Sequence, residues 1–260
     1  MNELYRLLHE NNTQYRIFMP NEIFEDLKEL KSKGVGHIAF AYSFYYFISW
    51  LYRYAKYGEM KIDTGMIKQV LGYSPDNKKV NYLIKENGWL DQIGYTYSDT
   101  DYPIAWEYKE DVTFHMLSDL DDELRKVIQN SRGKNYKIKV PVKGLWRDQI
   151  SQVEGIENGT FYEIDYTHEI PFDVFARCMD RDSLGVVGFY LYGYVKYRCD
   201  KFNKYNSSFE RIGNEVGMSR NTADKYLTAL IREGLIGYEE SECVIVEGKF
   251  VKQAHTYSLN

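Results

Sequence analysis

The sequence predicts an α+β fold that is mainly helical and built twice from the same order of elements. Its 260 residues are enough for two domains of ordinary size. The hydrophobic content of 44% and the charged content of 27% are typical of globular proteins and exclude long disorder. Each half also contains a long aromatic stretch, then a Gly-x-Ser turn, then a second glycine. We therefore expect two related domains.

The two halves keep an almost constant spacing. The offset between corresponding residues grows only from 144 through 145 to 146. The corresponding pairs are Tyr45 and Phe189, Gly72 and Gly217, and Gly88 and Gly234. We expect an N-terminal extension at residues 1–13, a first domain at 14–117, a charged connector at 118–159 and a second domain at 160–260.

Each half begins with an extended segment that ends in proline, at residues 17–20 and 169–171. A helix-length aromatic stretch follows, at residues 38–57 and 184–202. The first stretch is apolar on all sides, so it is expected to be buried on all sides. It could be a central helix between the domains, half of a dimer interface, or a base-stacking surface for single strands.

The second half contains a recognisable turn between two helices. Residues 209–217 are expected to form a short helix, which Gly217 ends in the left-handed conformation. Ser219 then stands where an N-cap oxygen is needed for a helix over residues 220–233. Gly234 ends that helix and a strand follows. This order is typical of the helix-turn-helix of a winged-helix domain.

The apolar positions of a helix-turn-helix are also present. They fall on Ile212, Val216, Met218, Ala223 and Tyr226, and Gly213 falls where the two helices must approach closely. The segment 208–236 resembles the winged helices of many bacterial regulators and initiators. In these proteins the second helix often begins with Ser-Arg-x-Thr and is followed by Gly-Leu-Ile. The resemblance implies a DNA-reading second helix.

The residues predicted to contact DNA lie at the start and on the outer face of that helix. They are Ser219, Arg220, Asn221, Thr222, Asp224, Lys225 and Thr228. Arginine pairs with guanine and asparagine with adenine in the major groove. Asp224 would lie near cytosine amino groups or would order Lys225 or Arg220.

The first half is less regular, because Lys68 falls on the close-approach position. We expect a helix after Ser74, in a shifted register, with Pro75 in its first turn. Lys78 and Lys79 on that helix are secondary candidates for DNA contact. A wing of strands at residues 93–97, 104–108 and 112–116 would follow, and its acidic tip at 98–101 would be repelled by phosphate. This domain is expected to assemble rather than to read DNA.

Charge is segregated along the chain, whose net charge is −5. Residues 99–123 hold nine acids and one base, and residues 125–147 hold eight bases and no acid. These blocks could form a solvated linker between the domains. Alternatively, the acidic residues lower the net charge of the chain although a basic surface exists elsewhere. Residues 196–233 hold eight bases and five acids, so the overall acidity does not exclude DNA binding.

No catalytic motif is recognisable. The five histidines are isolated, no phosphate-binding Gly-Lys-Ser/Thr loop exists, and the three cysteines form no CxxC pair. We expect a non-enzyme with no metal or cofactor, in the reducing cytoplasm, with neither a signal peptide nor a membrane span.

These patterns favour a protein that binds double-stranded DNA sequence-specifically and regulates transcription, with a homodimer as the expected assembly. Tandem winged helices of this length also resemble plasmid initiators, in which one domain mainly assembles and the other reads repeats. A plasmid or phage replication initiator is therefore the first alternative. The second is a winged-helix scaffold that docks a protein partner through the acidic segment 99–123.

Overall fold

A computed structural model describes residues 14–133, 135–161, 164–202, 204–240, 243–246, 249–252 and 254–259, with 243–246 and 249–252 as backbone only. The expected extension at residues 1–13 lies outside this range. The chain is about 52% helix and 18% strand, and every strand pair is antiparallel, in agreement with the α+β class. No helix in the described ranges is long and apolar enough to cross a bilayer.

The described part of the chain contains the following elements. The helices are α1 Ile23–Asp26, α2 Val35–Arg53, α3 Lys56–Glu59, α4 Thr64–Val70, α5 Asn81–Ile84, α6 Trp89–Gln92, α7 Asp122–Arg132, α8 Val142–Leu145, α9 Gln149–Glu154, α10 Phe172–Met179, α11 Gly185–Phe202, α12 Phe209–Val216 and α13 Arg220–Arg232. The strands are β1 Arg16–Pro20, β2 Thr96–Asp99, β3 Pro103–Tyr108, β4 Val112–Met116, β5 Ile138–Pro141, β6 Thr167–Pro171, β7 Tyr205–Ser207, β8 Ile236–Glu239, β9 Cys243–Val246, β10 Lys249–Lys252 and β11 His255–Leu259. Two 3-10 segments, Leu27–Lys33 and Leu117–Asp119, complete the set.

The two proline-ended segments pair with each other. β1 and β6 run antiparallel, with Ile17 opposite Ile170 and Arg16 opposite Pro171. The first residues of each half are thus joined by a ladder of backbone hydrogen bonds. Both isoleucines are buried in one hydrophobic core that contains residues of both halves.

The aromatic helix α2 forms the centre of that core. Every residue from 38 to 52 is buried, and α2 packs against its counterpart α11. Phe47 stacks on Phe175 of α10, and Tyr46 meets the edge of Phe189 of α11. The prediction that this helix is buried on all sides is confirmed. The alternative that this helix presents a base-stacking surface to solvent is wrong, because the side chains of residues 38–52 are buried.

The first half lacks the helix predicted after Ser74. Residues 75–80 form turns, and only the single helical turn α5 follows. Lys68, at the end of α4, is 5% exposed, and its ammonium donates to Pro75 O at 3.3 Å, Asn77 O at 2.8 Å and Asn81 Oδ1 at 2.6 Å. In a helix, carbonyl oxygens accept from backbone N–H groups of the next turn. Here the carbonyls of Pro75 and Asn77 accept from the Lys68 ammonium instead, which stabilises a non-helical path.

The predicted wing of the first half also differs. β3 and β4 form a hairpin, but β2 pairs with β5, which lies in the expected connector. Ile138 and Val140 of β5 are buried, so this part of residues 118–159 belongs to the core rather than to a solvated linker. The pairing is non-local, which is why the local strand pattern did not reveal it.

The second half ends in a three-stranded antiparallel sheet of order β7-β11-β8. Strands β9 and β10 continue the same hairpin beyond β8 and β11, with Lys249 opposite Val246. The helices α12 and α13 lie between β7 and β8 in the chain, and α13 packs on both α12 and α11. Within the described residues, β8 packs on α13, and β7 and β11 pack on α11.

Candidate nucleic-acid interface

The helix pair α12–α13 is held by two serine caps and a glycine turn. The Ser208 side chain accepts from Arg211 N at 3.2 Å, and the Ser219 side chain accepts from Thr222 N at 3.2 Å. Between them Gly217 has φ 76°, the left-handed region that glycine adopts without strain. The predicted N-cap and turn are confirmed at these residues.

The close approach predicted at Gly213 is also present. A Cβ built there would lie 2.9 Å from the carbonyl oxygen of Met218 and 3.4 Å from Cβ of Ala223. Four of the five predicted apolar positions are buried, at Ile212, Val216, Met218 and Ala223, and Tyr226 is half-buried. The inner faces of both helices are therefore fixed against the core.

This packing turns the predicted contact residues outward. Six of the seven predicted contact residues of this helix are exposed, and Thr222 is half-buried. The exposed residues are Ser219, Arg220, Asn221, Asp224, Lys225 and Thr228. The structure thus brings the seven candidates of the second half together on the first turns and outer face of α13. Lys78 and Lys79 lie apart from them, in the turn segment 75–80, and Lys79 N donates to Asn77 Oδ1.

Four of the seven candidates already have polar side-chain partners within the helix or its cap. Ser219 Oγ and Thr222 Oγ1 are 2.8 Å apart in the cap. Asp224 Oδ1 accepts from Thr228 Oγ1 at 3.2 Å, so the expectation that Asp224 orders Lys225 or Arg220 is wrong.

Arg220 and Asn221 differ from these residues. Neither side chain makes a hydrogen bond or ion pair with any part of the chain that the structure describes. Lys225 Nζ lies 5.1 Å from the ring centre of Tyr226, a cation–π distance that leaves the ammonium on the surface. Two donors of the major-groove type therefore stand unpaired on one exposed turn.

A groove of about 330 Å³ adjoins Arg220. Its walls are Ser207, Ser208, Phe209, Glu210, Arg211, Arg220, Ala254 and His255. The groove brings the first turns of α12 and α13 together with the start of β11. Sequence reasoning missed Arg211 as a member of this surface, although both arginines occupy the first turns of Ser-capped helices.

Much of the local positive charge is used inside the protein. Glu215 Oε2 accepts from Tyr194 at 2.5 Å and from Tyr205 at 2.6 Å, and Arg198 and Arg211 both contact this carboxylate. Burial acts to raise the pKa of Glu215, but these hydrogen bonds and the Arg198 charge together lower it. The excess of bases counted over residues 196–233 is therefore smaller at the surface than the sequence indicates.

The acidic segment 99–123 is likewise engaged with its own backbone. Four carboxylates accept from main-chain N–H groups, namely Asp99, Asp101, Asp119 and Asp121. Asp101 also binds the Ser118 hydroxyl. These residues form turns and caps, which is the local role that aspartate commonly has.

No group of three or more His, Cys, Asp or Glu side chains in the described ranges is arranged to hold a metal ion. Cys178 and Cys199 are buried free thiols, and burial raises the pKa of Cys178. A comparison with models of protein families, with curated proteins and with solved structures found no match to this chain.

Proposed function

We propose that this chain binds double-stranded DNA with sequence preference through α13 and thereby regulates transcription. The proposal is supported by the order α11, β7, α12, α13, β8, β11, which resembles a winged helix, in which the second helix of the turn enters the major groove. On this proposal α13 is the recognition helix. The hairpin β9–β10 is the wing.

The observation that carries the proposal is the exposed pair Arg220 and Asn221. They occupy the first turn of a helix whose opposite face is buried, and they have no partner in the described chain. Guanidinium and carboxamide groups are the two that read guanine and adenine bidentately.

The first half supports a division of labour. Its turn segment 75–80 is tied to the buried ammonium of Lys68, so it presents no helix comparable to α13. We propose that this half assembles the protein, as a homodimer, and that the second half reads DNA. The same division is found in the plasmid initiators that the sequence resembles, so replication initiation at repeated sites is the second candidate function.

The experiment is a binding selection from randomised duplexes, followed by a salt titration on the selected site. Binding through several phosphates predicts that log K falls by ~0.9 per log unit of salt for each contact. The selected site should bind at least ~10³-fold more tightly than scrambled duplex. Failure to enrich any site, together with no duplex binding at low salt, would contradict the proposal. Repeated sites near an origin would favour the initiator.

A further inference from the structure

The short helix α9 has its polarity reversed. Ser151 faces the interior and is 5% exposed, whereas Ile150 and Val153 are 69% and 80% exposed. Ile156, just after the helix, is 56% exposed. We call Ile150, Val153 and Ile156 the outer apolar face. A surface helix normally buries such residues and exposes its serine.

Local bonds fix this orientation. The Asp148 carboxylate accepts from Ser151 N at 2.8 Å, and Ser151 Oγ donates to Asp148 O at 2.9 Å. Gly155, with φ 72°, ends the helix in the left-handed conformation. Both ends of the helix are therefore capped, and the flanking segments are joined by hydrogen bonds from Arg147 N to Asn158 Oδ1 and from Gly159 N to Leu145 O. Clustered exposed apolar side chains of this kind mark interaction surfaces.

The charges that α9 and the residues after it carry are all negative. From 148 to 173 the sequence contains no Lys or Arg and seven acids, which are Asp148, Glu154, Glu157, Glu163, Asp165, Glu169 and Asp173. Glu154 and Glu157 border the outer apolar face, are exposed, and form no ion pair with any residue that the structure describes. The face is therefore apolar in its centre and negative at its edge.

A cavity of about 550 Å³ opens beside Glu157. Its walls include Tyr52, Tyr97, Phe114 and Trp146 together with Asp99, Asp101 and Glu157. Asp99 and Asp101 accept from main-chain N–H groups and still contribute negative charge. Aromatic side chains and carboxylates together favour an ammonium or guanidinium group. The cavity is thus suited to receive the end of a lysine or arginine side chain.

We infer that the outer apolar face and this cavity dock a cationic amphipathic helix of a partner protein. Its apolar side chains would cover Ile150 and Val153, and its lysines or arginines would meet Glu154 and Glu157. Nucleic acid would be repelled. A second copy that used the same face would bring like charges together. The exposed pair Leu124 and Val127 on α7 lies beside Arg125 and Lys126, so α7 of a second copy is the competing occupant that the test must exclude.

The test uses a fluorescent peptide of about 14 residues with leucines at i, i+3, i+4 and i+7 and lysines on the other face. Fluorescence anisotropy should show micromolar binding to the full chain. A scrambled peptide of the same composition should bind at least ~10-fold more weakly, because its leucines no longer form one stripe. Equal binding of both peptides would overturn the inference, since it would reveal charge attraction alone.

Protein variants locate the peptide. The double variant Ile150→Ser with Val153→Ser should weaken binding at least ~10-fold, and Glu157→Gln should weaken it less. The matched control, Leu124→Ser with Val127→Ser on α7, should bind like the parent. Unchanged binding to the first double variant would overturn the inference. Self-association is measured by sedimentation. If the parent self-associates and the Ile150→Ser and Val153→Ser changes abolish this, the inference is also overturned, because a second copy then covers the face. Binding of DNA duplex is measured on the same variants, so that a failure of the inferred peptide docking can be distinguished from a failure of the proposed DNA binding.

Discussion

The hydroxyl of Tyr42, on α2, lies 2.7 Å from Nε2 of His168, on β6, so a buried hydrogen bond joins the two halves of the chain. Nδ1 of the same ring is 2.9 Å from Asn21 Oδ1, which can only accept. Nδ1 therefore carries the proton and Nε2 accepts from Tyr42. The imidazole must be neutral for this arrangement, because a proton on Nε2 would remove the acceptor.

This histidine predicts a pH dependence of stability. Burial lowers the pKa of His168 to about 3 from 6.5, and the charge of Lys196 adds to the effect. Between these values the unfolded chain binds the proton and the folded chain does not, so stability falls as pH falls from 6.5 toward 3. Compared with His168→Phe, the parent should lose up to ~1.4 kcal/mol more per pH unit in this window. Urea unfolding at pH 7, 5 and 4 measures it, and parallel pH curves for both proteins would refute the assignment.

Gly193 predicts how closely α2 and α11 pack. A Cβ at this position would overlap the Tyr42 hydroxyl and lie 2.6 Å from its Cζ. Tyr42 is buried and hydrogen-bonded, so it cannot move aside. We expect Gly193→Ala to lower the free energy of unfolding by ~1–3 kcal/mol. Gly36→Ala, whose Cβ would meet only Tyr73 Oη at 3.9 Å, is the matched control and should be near neutral. Equal thermal midpoints for both variants would argue against the close contact.

Lys68 predicts a second stability effect. Replacing it by methionine leaves Pro75 O, Asn77 O and Asn81 Oδ1 without their donor. The loss of these charge-assisted hydrogen bonds should cost ~1–3 kcal/mol, which chemical denaturation of Lys68→Met should detect. Lys79→Met, on the exposed surface of the same segment, should change stability by less than ~0.5 kcal/mol. A Lys68→Met protein as stable as the parent would show that the ammonium does not hold the turns.

The second helix pair could be predicted from sequence because its signals are local. Ser208, Gly213, Gly217 and Ser219 each determine a cap, a close approach or a turn within a few residues. The apolar spacing of α13 agrees with these signals at every turn. Where local propensity, capping and hydrophobic pattern agree, a short stretch of chain determines its own conformation.

The first half could not be predicted in the same way, because long-range partners decide it. Lys68 occupies the position that Gly213 has in the second half, and its ammonium donates to oxygen atoms as far along the chain as Asn81 Oδ1. The alternation of Ile138 and Val140 with lysines is a strand pattern, but its charge favoured the interpretation as a linker. The pairing of β1 with β6 joins residues about 150 positions apart, and no local pattern encodes that distance.

The outer face of α13 was anticipated in its composition but not in its internal bonds. Sequence spacing gave the exposed positions correctly, from Arg220 to Thr228. The partners of Asp224 and Arg211 depend on which donor or acceptor lies nearest in space, at Thr228 and Glu215. Arg220 and Asn221 remain as the two exposed side chains of this face that have no polar partner in the described residues.

The most direct measurement compares the binding of five alanine variants to cognate and scrambled duplexes. Arg220→Ala and Asn221→Ala should each lose ~1–3 kcal/mol on the cognate site and relax the preference at one base pair. Lys225→Ala should weaken binding almost equally on both duplexes. Lys78→Ala and Lys79→Ala should leave base preference unchanged, because their segment is not a helix. A change of specificity in either of these last two, with none in Arg220→Ala or Asn221→Ala, would contradict the assignment of α13 as the reader.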